Sequence, residues 1–117
     1  MSKRTDEKYL DDIRRFGREA IALAADMSAE QFERDRKLQF ALAYAVQVVG
    51  EAAYQLSDAA RASIPDIPWP KIIGMRHRLV HGYGDVVYDI VLEVARRDLP
   101  NLIAALEKFT PPEPPSA

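Results

Sequence analysis

The sequence contains no cysteine, so disulfide bonds are excluded and secretion into an oxidising compartment is not indicated. It also lacks any apolar run near the roughly 20 residues that a membrane-spanning helix requires. Its first residues are charged and do not form the apolar core of a signal peptide. From these absences we expect a cytoplasmic protein that does not bind membranes.

An excess of positive charge is also missing, because 16 Lys and Arg residues stand against 18 Asp and Glu, for a net charge of -2. Attraction of nucleic acid by the charge of the whole molecule is therefore excluded, and any such binding must be local. One local basic segment exists. Between Lys71 and Gly84 the charged residues are Lys71, Arg76 and Arg78, with no acid among them.

Apolar residues recur at intervals of three and four along most of the chain, and this spacing predicts amphipathic helices. The predicted helices run from about Asp6 to Asp26, from a capping box at Ser28 to the charged run 33–37, from Leu38 to Leu56, from Pro70 to about Val80, and from about Asp85 to Phe109. No segment alternates as a strand would. The sequence therefore predicts an all-α fold, an up-and-down bundle of four to five helices. We expect one domain over residues 1–110 and a Pro-rich disordered tail over 111–117.

Prolines and one glycine mark the irregular points of this pattern. Residues 64–70 contain three prolines and cannot form a continuous helix, although Pro70 suits the first turn of the next one. Pro100 should kink the last helix. Gly17 marks either a close helix crossing or a tolerated weakness in its helix, and we favour the tolerated weakness.

The predicted helix from Leu38 to Leu56 has more apolar surface than one buried stripe requires. The residues that widen this surface are Phe40, Tyr44, Val46, Val48 and Ala53. More than one face must then be covered, one by the rest of the chain and the other by a second copy in a homodimer. Gly50 and Glu51 interrupt the surface. Glu51 is either a solvated helix residue or the partner of an arginine from the basic segment.

Polar chemistry is concentrated in the nine residues from Arg76 to Gly84. They include both histidines of the chain, two arginines, Tyr83 and two of the five glycines. A helix that stops near Val80, with Gly82 and Gly84 after it, would let His81 and Tyr83 fold back toward Arg76. An imidazole can then take the proton of an RNA 2′-OH while a guanidinium binds the phosphate, without a metal or other cofactor.

Three other interpretations of this segment stay open. His77 and His81 are four residues apart and could bind a metal, although two neighbouring arginines would repel a cation. Arg and His could simply complement the dipole of a helix end that glycine terminates. The segment could also be a nucleotide-binding or protein-binding patch without catalysis.

The order Arg76, four residues, His81, one residue, Tyr83 resembles the motif of the HEPN superfamily, and specifically its HepT-like toxin branch. Further segments resemble this branch in order and spacing: Gly50 to Ala53, Ile67 to Trp69, Gly74 to Arg76, Asp89 to Val91, and Asp98 to Pro100. The resemblance extends over roughly residues 8–109.

This resemblance implies a homodimer in which two motifs face one another across a cleft. It implies a metal-independent endoribonuclease with Arg76 and His81 as its catalytic pair, acting as the toxin of a type VII-like module. The implied partner is a nucleotidyltransferase (MNT) antitoxin that attaches AMP to Tyr83. The alternative is a non-catalytic binding module that is a substrate or regulatory partner of the nucleotidyltransferase.

One position departs from the pattern of the branch, where Asn often follows the motif arginine and this chain has His77. His77 could support the site by hydrogen bonding, or it could act as general acid while His81 acts as base. We favour the supporting role. Arg78 and Glu51 complete the predicted supporting residues.

Overall fold

The computed structural model describes residues 3–81 and 85–109, and within them the fold is a helical bundle. Four long helical segments form it: α1 (Lys3–Ala25), α3 (Arg36–Gln55), α5 (Trp69–Leu79), and a last segment made of α6 (Tyr88–Glu93), a π-helical turn (Val94–Asp98) and α7 (Leu99–Phe109). Two short helices, α2 (Ala29–Arg34) and α4 (Asp58–Ala62), connect them. The predicted all-α class is confirmed. Among the described helices, none combines the length and the hydropathy needed to cross a membrane.

Helix α3 lies at the centre of the bundle, where it packs against α1, α5 and α6, while α1 also packs against α7. Apolar side chains from every long segment meet around it and are buried; they include Ile13, Leu42, Val49, Met75 and Leu99. Burial of this shared core is the main stabilising term of a domain of this size. The core therefore fixes α5 against α3.

Side-chain caps set three of the helix boundaries, and the capping box at Ser28 among them was predicted. Ser28 Oγ accepts a hydrogen bond from the Gln31 N–H at 3.1 Å, and Gln31 Oε1 accepts one from the Ser28 N–H at 2.8 Å, which completes the capping box. The charged run then breaks the helix at Asp35, whose carboxylate accepts from the Leu38 N–H at 3.0 Å and starts α3. Helix α4 was not predicted from sequence; Ser57 caps it by accepting from the Ala60 N–H at 3.1 Å.

The sequence predicted that Pro100 would kink the last helix. In the structure, the departure from regular α-helical geometry lies in the turn before Pro100. The Leu99 N–H donates to the carbonyl of Val94, five residues back, within the π-helical turn. Pro100 has no N–H, and in a regular α-helix its ring would press on the carbonyl of Arg96. The wider π turn gives the ring room, so the helix continues past the proline without ending.

The chain after α5 corrects the prediction that every element is helical. Val80–His81 (β1) and Asp85–Val86 (β2) form a two-residue antiparallel pair, with His81 opposite Asp85. The last helix begins at Tyr88 and not near Asp85, so its predicted start was wrong. The reason is local: the Val87 N–H donates to the Leu79 carbonyl at 2.8 Å. This bond satisfies a carbonyl that the end of α5 would otherwise leave unpaired, and β-branched valines favour the extended backbone.

The surroundings of Gly17 also differ from what was expected of a tolerated weakness in the helix. It is buried, and a Cβ atom built on it would lie 2.7 Å from Cδ1 and 3.2 Å from Cγ1 of Ile103 on α7. No real side chain keeps so short a contact, and Ile103 is itself buried. The favoured interpretation of Gly17 as a tolerated weakness was therefore wrong, and the glycine permits the close crossing of α1 and α7.

We predict that Gly17→Ala lowers the free energy of unfolding by about 1 kcal/mol, since overpacking outweighs the gain in helix propensity. In an Ile103→Val background the loss should shrink, because the valine lacks Cδ1. Gly50→Ala is the matched control: its Cβ would lie 3.6 Å from the Ile72 carbonyl oxygen, an ordinary contact. Denaturant unfolding of wild type, Gly17→Ala, Ile103→Val, the double variant and Gly50→Ala gives the free energies to compare. Equal effects of the two glycine substitutions would contradict the account.

Candidate active site

Arg76 lies in the last turn of α5, immediately after the buried Met75. The stem of its side chain lies against α3 at Gly50, where an added Cβ would be 3.7 Å from both the Cβ and the backbone N of Arg76. The side chain retains 26% of its exposure. The packing of α5 on α3 thus leads the guanidinium along the surface of α3.

Two residues of α3 hold this guanidinium. Its Nη1 donates to Oε2 of Glu51 in an ion pair, and its Cζ lies 4.2 Å from the centroid of the Tyr54 ring. Gln55 Nε2 donates to the other oxygen of Glu51 at 3.3 Å. The Nε of Arg76 is buried, and within the described part of the chain it has no hydrogen-bond partner. From the sequence, Glu51 was either a solvated helix residue or the partner of an arginine. The structure shows that Glu51 is the partner of Arg76.

The surroundings of Glu51 keep its carboxylate ionised. The hydrogen bond from Gln55, then the hydrogen bond and the charge of Arg76, lower the pKa of Glu51, and partial burial opposes them. The Glu51 side chain is 53% exposed, so an ion pair of this kind contributes only about 0–1 kcal/mol to stability. The ion pair therefore adds little to the stability of the fold.

The structure does not bring His77 or Arg78, which follow Arg76 on α5, to this guanidinium. His77 and Arg78 are both exposed. Successive helical residues turn by about 100°, so His77 points away from Arg76 and Arg78 lies on nearly the opposite face of α5. All three residues occupy the last turn of α5, where positive charge complements the helix dipole.

The remaining predicted residues lie in the segment where the chain reverses. The backbone of His81 belongs to β1 and pairs with Asp85, while its side chain falls outside what the structure describes. Tyr83 also lies outside the described residues, as do Gly82 and Gly84 with their predicted role in ending α5. The antiparallel pair does establish that the chain turns back directly after α5. The predicted meeting of imidazole, phenol and guanidinium stays a prediction.

Comparison with known proteins adds to this geometry. The family model described as ribonuclease HepT-like matches residues 7–109. The chain belongs to the HepT-like family. A relative in Thermococcus cleftensis, named "Probable ribonuclease HepT", is 33% identical over 111 residues, covering 92% of this chain and 97% of the relative.

Two further relatives carry the name "Putative RNase". One, from Methanocaldococcus jannaschii, is 32% identical over 109 residues, or 93% of this chain and 94% of the relative. The other, from Caldanaerobacter subterraneus subsp. tengcongensis, is 31% identical over 99 residues, or 85% of this chain and 88% of the relative. No solved structure matches the chain. Membership of the HepT-like family and the names of its relatives support ribonuclease activity.

Tyr54 was not among the site residues predicted for this HepT-like chain. The sequence did hold a signal, because Tyr54 follows Glu51 by three positions and lies on the same face of one helix. An aromatic ring on that face is the favoured neighbour of a guanidinium that pairs with the carboxylate. Recognising it required knowing that Glu51 pairs with Arg76.

The outward face of α3 in this HepT-like bundle is aromatic. Phe40, Tyr44 and Tyr54 are 55%, 63% and 50% exposed. Their spacing places them and Glu51 within a strip about 80° wide, which we call the aromatic strip of α3. Of the other residues predicted to widen the apolar surface, Val46 and Ala53 are buried and Val48 is partly buried. Of the five residues, only Phe40 and Tyr44 thus extend the α3 surface beyond the core of one chain.

Proposed function

We propose that this protein is an endoribonuclease that cuts RNA without a metal, with Arg76 and His81 as its catalytic residues. The observation that carries the proposal is the guanidinium of Arg76, which α3 holds through Glu51 and Tyr54 at the surface of a HepT-like bundle. A fixed guanidinium costs little reorganisation when a phosphate binds. An arginine is also the side chain whose donors best match phosphate oxygens.

In the proposed reaction the imidazole of His81 takes the proton of a 2′-OH. The 2′-oxygen forms a bond to the adjacent phosphorus as the bond to the 5′-oxygen breaks, and Arg76 stabilises the charge on the non-bridging oxygens. The leaving 5′-oxygen gains a proton from water, and the imidazolium of His81 then returns its proton to the solvent. The products are a 2′,3′-cyclic phosphate and a 5′-hydroxyl. His77 is exposed on another face of α5, which fits general acid catalysis poorly, and its supporting role stays a prediction.

The proposed active form is a homodimer in which two Arg76–His81 motifs share one cleft. The aromatic strip of α3 supports this assembly, because it leaves three large aromatic side chains half exposed or more. Exposed aromatic residues that cluster on one surface are typical of interfaces. Glu51 and Tyr54 belong to the same strip and contact Arg76, so a partner docked there would lie beside the guanidinium.

The proposed biological setting is a cytoplasmic, type VII-like toxin–antitoxin module. Its second component would be an MNT-type nucleotidyltransferase that attaches AMP to Tyr83. Tyr83 follows Arg76 closely in the sequence. An adenylyl group on Tyr83 would therefore add a bulky anion that competes with the phosphate of RNA. Membership of the HepT-like family supports this setting.

A second candidate function is a non-catalytic binding module that serves as a substrate or regulatory partner of the nucleotidyltransferase. One observation favours it: Arg76 is already paired with Glu51 and is only 26% exposed. A guanidinium engaged by a carboxylate has fewer donors for a substrate. The two candidates differ in whether RNA is cut.

We predict that wild-type protein cuts single-stranded RNA in the presence of EDTA and that Arg76→Ala and His81→Ala lower the rate at least about 100-fold. Loss of the guanidinium removes charge stabilisation, and loss of the imidazole removes the base. The measurement is the initial rate on a fluorescent RNA oligonucleotide. Arg97→Ala is the matched control, since Arg97 is 78% exposed on another element and its removal should leave the rate unchanged.

The contrary result would be a wild-type rate no higher than that of the two site variants. The ribonuclease proposal would then be wrong, and the binding module would stand. Abolition of wild-type cleavage by EDTA would contradict the metal-independent mechanism.

We predict that the wild-type chain has the mass of a dimer by light scattering at micromolar concentration. Phe40→Glu should convert it to a monomer, because the carboxylate would be buried in the aromatic interface. Ala22→Glu is the control, since Ala22 is exposed on α1. A monomeric wild type, or a dimer that survives Phe40→Glu, would contradict the proposed interface.

A further inference from the structure

Tyr54 is an aromatic residue on the surface of α3 that the proposed chemistry does not use directly. Its ring is 50% exposed and carries the Arg76 guanidinium, whose Cζ is 4.2 Å from the ring centroid. The contact joins α3 to α5 and is independent of the Glu51 ion pair, which engages Nη1. Glu51 thus holds the guanidinium by an ion pair, and Tyr54, three positions later on α3, holds it by a cation–π contact.

We propose that Tyr54 is a positioning residue, which fixes the plane of the Arg76 guanidinium so that its Nη2 faces a phosphodiester oxygen of RNA. In the described part of the chain, Nη2 makes no hydrogen bond, while Glu51 engages Nη1 and the helix packing buries Nε. The choice of RNA as the ligand rests on the proposed ribonuclease function. The positioning of Arg76 by the ring can be tested without it.

The ion pair alone does not explain how Arg76 is held. Glu51 is more than half exposed, and ion pairs of that kind are weak and leave the arginine free to rotate about its long stem. Burial of Nε without a hydrogen-bond acceptor opposes this conformation. Attraction between the guanidinium and the face of the ring favours it. The ring also restricts rotation of the side chain, since a rotation that moved Cζ off the ring would lose this attraction.

Tyr54 is not part of the buried core, so its truncation should change the site more than the fold. The core residues of α3 lie on its other faces, where Val49 is fully buried, Ala52 nearly so and Ala53 fully. Tyr54→Phe keeps the ring and tests whether the hydroxyl matters. Tyr54→Leu removes the π face while keeping an apolar side chain of moderate size. Tyr54→Gln gives a polar replacement if the leucine variant does not fold.

The first test observes Arg76 itself in the full-length chain. The Nε–H signal of Arg76, assigned by its loss in Arg76→Lys, should show a ring-current shift and slow exchange with water. Tyr54→Phe should preserve both properties. Tyr54→Leu and Tyr54→Gln should move the signal toward that of a free arginine and speed exchange by about tenfold. An unchanged shift and exchange rate in the folded variants would overturn the proposal, whether or not the protein cuts RNA.

The second test asks whether this positioning serves cleavage. Tyr54→Leu should lower kcat about tenfold and change KM less than about threefold, while Tyr54→Phe stays near wild type. In an Arg76→Lys background the same change should cost less than about twofold, because the planar guanidinium is already gone. An equal loss in both backgrounds would overturn the proposal, because Tyr54 would then act independently of the guanidinium, through RNA or through the dimer interface. If wild type cuts no RNA, the ribonuclease proposal fails and the signal of Arg76 alone decides the role of Tyr54.

Discussion

The packing of Arg76 against α3 is the contact on which the candidate site depends. Apolar residues of α5 fix that helix to the centre of the bundle, and Arg76 follows the buried Met75 directly. The guanidinium extends along α3, where Glu51 and Tyr54 contact it. The energy that positions the arginine thus comes from core packing, which is strong, and not from the exposed ion pair, which is weak.

The second constraint is the reversal of the chain after α5. The Val87 N–H satisfies the Leu79 carbonyl, and β1 pairs with β2, so the chain returns toward the bundle after His81. This return places the backbone of His81 directly after the helix that carries Arg76. The aromatic strip of α3 extends the same surface away from Arg76 and gives the proposed second chain a place to dock.

Local signals in the sequence predicted much of this fold, whereas contacts between distant segments did not follow from it. The capping box at Ser28 and the helix start near Pro70 depend on neighbouring residues, and both were predicted. The need for Gly17 arises from Ile103 on another helix, so inspection of α1 could not reveal it. The pairing of β1 with β2 is too short for a strand pattern to indicate. Glu51 was recognised as a possible partner of an arginine, but Tyr54 was not, because its role depends on where the guanidinium lies.

The chemistry of the RNA ends tests the central claim most directly, namely that Arg76 and His81 promote attack by the 2′-oxygen. Mass spectrometry of the fragments made by wild-type protein in EDTA should detect 2′,3′-cyclic phosphate and 5′-hydroxyl ends. An RNA whose cleavage site carries a 2′-O-methyl group should not be cut, because it has no proton for the imidazole to take. Fragments that end in 3′-hydroxyl and 5′-phosphate, or cleavage at the methylated site, would contradict the account.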